Sequence, residues 1–267
     1  MATLKADLEI EVFERLERVT DPELDEPITD MGFVERVEVV DAKKVEVDFR
    51  LPTYWCSPNF AFLMAWGIRQ QVSSLPWVHE VKVDLKDHCF MERVNEGVNG
   101  DRDFREVFTE YCNGESLEDV RLKFMAKAFD RRQETMLLAV REAGYSAQDI
   151  VDMTLAQYDA LECQGEEDAK QHPRYRELLV SRELAARPDD PVFVTWKGTS
   201  LTKDDLKDHL AKLRGTRINM EFNGALCRGL LSTRYKEVKM GDDGPTLIDF
   251  IQKAALTNAQ AAEQAQR

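Results

Sequence analysis

The stretch LPTYWCSPNF, residues 51–60, sets a single thiol, Cys56, between a run that reads as a β-strand and a segment that reads as a helix start. If Ser57 and Pro58 open a helix, the Cys56 side chain lies beside unpaired backbone amides and the positive end of the helix dipole, and both favour thiolate over thiol. A dipole contribution of roughly 0.3 to 1 kcal/mol amounts to less than about one pKa unit, so backbone hydrogen bonds would have to supply any larger shift. The local pattern offers a modestly activated thiol; the competing reading is a small hydrophobe packed at a strand end.

Two other groups bear on this thiol. In TDPELDEPITDMGFV, residues 20–34, two prolines and a glycine break helical periodicity; Asp21 suits a turn cap, Glu23 is placed to face a site, and Met31-Gly32-Phe33 lead into a strand. In DHC, residues 87–89, His88 and Cys89 carry imidazole and thiolate donors that suit iron or zinc. Adjacent residues on an extended chain point to opposite faces, so these two would not easily share one ion, and a satisfied polar role for His88 stands against a metal site containing Cys56. Whether the end of the third strand approaches the Cys56 loop or lies at the opposite edge is open from sequence.

The elements that must position these groups are legible as patterns. Leu4, Leu8, Val12 and Leu16 recur at helical spacing and predict a helix over 4–18. FVERVEVVD (33–41) and KVEVDFRL (44–51) alternate apolar and charged residues and predict a β-hairpin, the apolar run after Pro58 a mostly buried helix, and WVHEVKVDL (77–85) a third strand. Residues 116–144 read as the longest helix, opened by Ser116 and Asp119 in capping-box spacing and closed by Gly144. Residues 146–161 read as a second helix and 163–173 as an exposed connection. Beyond it RYRELLVSRELAA is expected to be helical, DPVFVTW a strand, and Thr202 to Arg214 a capped helix ending on Gly215. RINMEF, NG and ALCRGLL then read as strand, two-residue turn and strand. The tail 257–267 is expected to fray.

The sequence thus predicts an α+β protein: an N-terminal α-β-β-α-β domain (1–95), a helical extension (96–165) and a small C-terminal α/β domain (166–267). With 36 basic and 50 acidic residues the net charge is -14, which disfavours nucleic acid as a partner. No window is long and apolar enough for a membrane helix and the first residues are charged, so a cytoplasmic location is expected. The five cysteines have no CxxC spacing, the histidines no HExxH or Glu-x-x-His pattern, and the glycines no phosphate loop, so an enzyme of a standard class is not expected. Cys112 and Cys227 read as packing residues in an aromatic segment and a strand, and Cys163 precedes an acidic loop.

Taken in order, Asp21-Pro22-Glu23-Leu24, Ile28, Asp30-Met31-Gly32-Phe33-Val34, two strands, Leu51, Thr53, Cys56-Ser57-Pro58, a helix and a third strand resemble the SufT/PaaD-like iron-sulfur assembly domain family. The resemblance covers residues 8–88, with one departure: Ser57 stands between the cysteine and the proline. It implies that Cys56, with Thr53, Asp21 and Glu23 around it and His88 or Cys89 as further candidate ligands, transiently binds an iron-sulfur cluster or iron. The segment DLKDHCFMERVNEGVNGDRDFREVF, residues 84–108, and the long helix resemble extended members encoded beside bacterial multicomponent di-iron monooxygenases, such as propane-oxidising enzymes. That implies an accessory maturation factor whose partner is a client oxygenase component. Stable clusters typically have four cysteine ligands, so a homodimer or the client would complete the site. A cluster-free assembly chaperone is the alternative.

Overall fold

In the computed structural model, which describes residues 2–41, 43–112, 116–241 and 244–249, with side chains for 5–41, 43–112 and 116–235, the chain is α+β as expected. The tail 257–267 lies outside the described residues. Contacts divide the chain into two units, Met1–Val120 with Asn223–Arg267, and Arg121–Phe222. The boundaries expected near 95 and 165 fall inside these units.

The first unit begins with α1 (Ala2–Leu16), whose helical spacing turns Val12 and Leu16 into the core. β1 (Val34–Asp41) pairs antiparallel with β2 (Lys44–Arg50), and the Asp41 carboxylate closes the turn by accepting the Lys43 and Lys44 amides at 2.8 and 3.0 Å. Period-two alternation buries Val45, Val47 and Phe49 on one face of β2. On the other face Arg36 reaches Asp48 at 2.8 Å and Lys44 reaches Glu80 at 2.9 Å. α2 (Pro58–Ser73) crosses over to β3 (Glu80–Lys86), which is parallel to β2, so the sheet order is β1-β2-β3. The outer edge of β3 is covered by α3 (Met91–Asn99). Asn95 and Asn99, one helical turn apart, accept the Leu85 and Val83 amides at 2.8 and 2.9 Å and donate back to the same residues' carbonyls. Those two side chains do for the edge what another strand would do. After α4 (Phe104–Val107) and a single 3-10 turn, an aromatic cluster around Phe62, Phe90 and Phe108 extends the core.

The second unit is helical. It holds most of α5 (Leu117–Glu142), whose Ser116–Asp119 capping box and left-handed Gly144 (φ 91°) are as read from sequence. The helix expected over 146–161 is two short ones, α6 (Ala147–Val151) and α7 (Leu155–Asp159), each opened by its own capping box at Ser146 and Thr154. The expected connection 163–173 lies largely in α8 (Glu166–Ser181). Its acidic first turn complements the helix dipole, and its Tyr175 and Leu179 are buried.

Two strand readings are corrected. In DPVFVTW, Val192, Phe193 and Val194 are buried, but only isolated bridges form there. Side chains satisfy that backbone: the Tyr175 hydroxyl donates to the Val192 carbonyl and the Gln133 amide to the Val194 carbonyl, both at 2.7 Å. RINMEF-NG-ALCRGLL is part of α9 (Leu206–Arg234), a helix that runs through Gly215. Alternation would have buried Ile218, Met220 and Phe222 together. Instead Ile218 and Phe222 are exposed, while Leu213, Met220 and Leu231 are buried at helical spacing. The strands seen nearer the C-terminus among the described residues are β4 (Lys236–Gly241) and β5 (Gly244–Asp249), an antiparallel pair.

Candidate functional site

Because β2 and β3 are parallel, the loops leaving them lie at the same end of the sheet, and the open question about DHC is resolved. The Cys89 amide donates to the Tyr54 carbonyl at 2.8 Å. The His88 Nδ1 accepts the Phe90 amide at 3.1 Å, which leaves the proton on Nε2 to donate to the Cys56 carbonyl at 3.0 Å. Burial pushes the His88 pKa down, as does Arg234, in keeping with a neutral ring. Both ring nitrogens are therefore occupied by backbone, and His88 acts on Cys56 by holding the main chain of its loop. The Cys89 side chain is exposed and Thr53 is half-buried.

The other wall comes from the turn after α1. The Asp21 carboxylate accepts the Glu23 and Leu24 amides at 2.9 and 3.0 Å, while the Asp21 amide donates to the Glu26 carbonyl at 2.8 Å. Asp25, in the left-handed region at φ 54°, lets the turn close on itself. The carboxylate is thereby drawn inside, and burial raises its pKa to about 6 against the opposing pull of the two amides.

Cys56 feels this carboxylate. Ser57 precedes Pro58 at the helix start without a side-chain cap, and the Ser57 amide does favour the Cys56 thiolate. Burial outweighs it, with Asp21, Cys227 and Glu23 adding to the same side, and the thiol is pushed up to about 12. The helix-terminus expectation of a modestly activated thiol is not met: burial and the nearby negative charge favour the protonated form of Cys56.

Cys227, read from sequence as a packing residue on a strand, is on a helix instead and shares the electrostatic environment of Cys56, Asp21 and Glu23. The last turns of α9 bring it there. Arg228 donates to Glu26 at 2.6 Å, Leu231 enters the core, and Arg234 donates to the Asp87 carbonyl at 2.7 Å. Helical spacing alone would have placed Cys227 on the face of Gly224, Arg228 and Leu231; the Asn-Gly signal concealed it. Beside the thiol, Trp55 is 75% exposed and Tyr54 is also exposed. Among the described residues no three His, Cys, Asp or Glu side chains form a metal-binding group.

Residues 9–84 match a family model described as iron-sulfur cluster assembly protein. The match runs from α1 into β3 and takes in Asp21, Glu23, Thr53 and Cys56; His88, Cys89 and Cys227 lie beyond it. This N-terminal segment is similar to that family, which supports a role in assembly or maturation in general. No curated protein matches the chain. No helix among the described residues is long and apolar enough to cross a membrane.

Proposed function

We propose that the protein is a maturation factor that receives iron or an iron-sulfur cluster transiently at Cys56 and passes it to a client metalloenzyme, a component of a multicomponent di-iron monooxygenase. The observation that carries this reading is the half-buried thiol set near the buried Asp21 carboxylate, with Glu23 adding negative charge. A thiolate and a carboxylate in one desolvated place repel each other, and a cation between them removes the penalty on both. Iron, or the cationic core of a cluster, would be the cargo; Cys56 gives up its proton as the sulfur bonds to it. Competition from that proton keeps the hold reversible. Cys227 supplies a second sulfur, and the client or a second copy of the chain supplies what a four-thiolate cluster still lacks. Trp55 and Tyr54 give an aromatic contact for the client next to the cargo.

The test is to co-express the oxygenase component with wild-type protein or with Cys56→Ser and to measure iron content and turnover, alongside anaerobic reconstitution of the purified protein with iron and sulfide. Loss of iron loading with Cys56→Ser, and of the thiolate-to-iron charge-transfer absorption, is the expected result. The second reading, a cluster-free chaperone that binds and folds the oxygenase component, is favoured by the exposure of Trp55. Under that reading Cys56→Ser leaves iron loading unchanged, whereas Trp55→Ala abolishes complex formation.

A further inference from the structure

The second unit contains a groove that the thiol chemistry does not use. One wall is α5, which presents Glu134, Leu138 and Arg141 at successive turns of one face; the other is the N-terminal half of α9. The cavity measures about 730 Å³. Its lining includes the exposed Leu138 and the half-buried Leu210, over a floor of the buried Ile150 and Leu206. Along it stand the exposed cations Arg141, Lys203, Lys207 and Arg214, and none of the four has an ion-pair partner among the described residues. The one carboxylate in the lining, Glu134, is already paired with Arg217 at 2.7 Å. In a chain of net charge -14, unmatched positive charge gathered around apolar surface is a local inversion of the overall composition.

The distribution of the cations narrows the ligand. From Leu206 to Arg217 the α9 wall extends about 17 Å at 1.5 Å per residue, which is three turns of a second helix. A fatty acid of that length has an apolar body but a single terminal carboxylate, which would engage one cation and leave the others unmatched. Here positive charge stands at Lys203, at Lys207 and at Arg214, and again on the opposite wall at Arg141. A ligand that answers all of them carries carboxylates along both flanks of an apolar stripe. We propose that this groove docks an acidic amphipathic helix of a partner protein, its apolar stripe on Leu138 and Leu210, above the buried Ile150 and Leu206, and its carboxylates against Arg141, Lys203, Lys207 and Arg214.

The experiment uses the full chain and two fluorescein-labelled helical peptides that share one leucine stripe at i, i+3, i+4 and i+7. One is flanked by glutamates and the other by lysines, and binding is read by fluorescence anisotropy. The glutamate peptide is expected to bind at least about tenfold more tightly than the lysine peptide, and to weaken as salt is raised. The variant K203E/K207E/R214E is expected to reverse the preference, and Leu138→Asp, at an exposed position, to weaken the glutamate peptide while circular dichroism stays unchanged. Equal binding of the two peptides, or unaltered affinity in both variants, would overturn the proposal. So would binding of a labelled long-chain fatty acid in place of the glutamate peptide. Should the triple variant fail to fold, Leu138→Asp and the salt series decide.

Discussion

Gln133 in the second unit and Asp21 in the first are both shut away from water, at 0% and 7% exposure, yet their surroundings treat them differently. The Gln133 amide donates to the Tyr175 hydroxyl and to the Val194 carbonyl, each at 2.7 Å, and its oxygen meets His209 Nε2 at 2.5 Å. The Tyr175 hydroxyl passes its own proton on to the Val192 carbonyl. Every member of that network is answered, and it fixes the extended segment 192–194 where no strand ladder does. Asp21 has two amides of its own turn and no cation among the described residues, so burial raises its pKa to about 6. A closed polar network specifies structure. An ionisable group left under-compensated opposes stability, and such groups concentrate where a ligand is to supply the missing charge.

Breaking the closed network should give the largest effect. Gln133→Ala removes three hydrogen bonds, leaves a buried carbonyl and an imidazole without their partner, and opens a cavity, which together cost about 3 kcal/mol. Denaturant unfolding of the purified protein measures this. A loss smaller than about 1 kcal/mol would mean that the network does not hold segment 192–194.

The same reasoning applied to Asp21 predicts the opposite sign. Its pKa in the folded protein, about 6, lies above the ordinary 3.8, so the folded state binds more protons between these values and loses stability as pH rises through that window. The full linkage is about 3 kcal/mol at neutral pH. Asp21→Asn keeps the shape and the acceptor for both amides while removing the charge, and should stabilise the protein by about 2 kcal/mol at pH 7 and scarcely at all at pH 3.5. Urea unfolding across that range shows whether the gap opens between pH 4 and 6. A destabilised variant at pH 7 would refute the view of Asp21 as an under-compensated charge.

The N-terminal domain was legible because its period-two runs and its Pro and Gly punctuation agree with how β1, β2, α2 and β3 pack. The direction of β3 was not, since alternation is the same in parallel and antiparallel strands; only the tertiary pairing brings His88 to the Cys56 carbonyl. The protonation state of Cys56 was hidden for a related reason. A sequence shows the helix start at Pro58, but not that a carboxylate 35 positions before Cys56 is folded inside near the thiol. Cys227 was lost to Asn223-Gly224, a strong hairpin signal that the continuous helix overrides. The groove was half visible: KDDLKDHLAKLR carries its cations and leucines at helical spacing, but nothing in the sequence shows that Arg141 and Leu138 face them.

The two units also contain ion pairs that should differ in weight. Arg217 meets a Glu134 side chain that is 3% exposed, whereas Arg228, itself 43% exposed, meets Glu26 at 2.6 Å near the thiol site. An exposed pair contributes at most about 1 kcal/mol because water and salt screen it, so Arg228→Ala should move the unfolding midpoint little. Its effect should appear in chemistry instead. Burial together with Asp21 and Glu23 raises the Cys227 pKa, and Arg228 is the group that pulls it back toward thiolate. Without Arg228 the Cys227 thiol rises further, and its alkylation by iodoacetamide at pH 8, followed by peptide mass spectrometry, should slow. A faster reaction would show that the Arg228–Glu26 pair matters as a latch that keeps this turn of α9 closed over the site, and that access, rather than charge, governs the second sulfur.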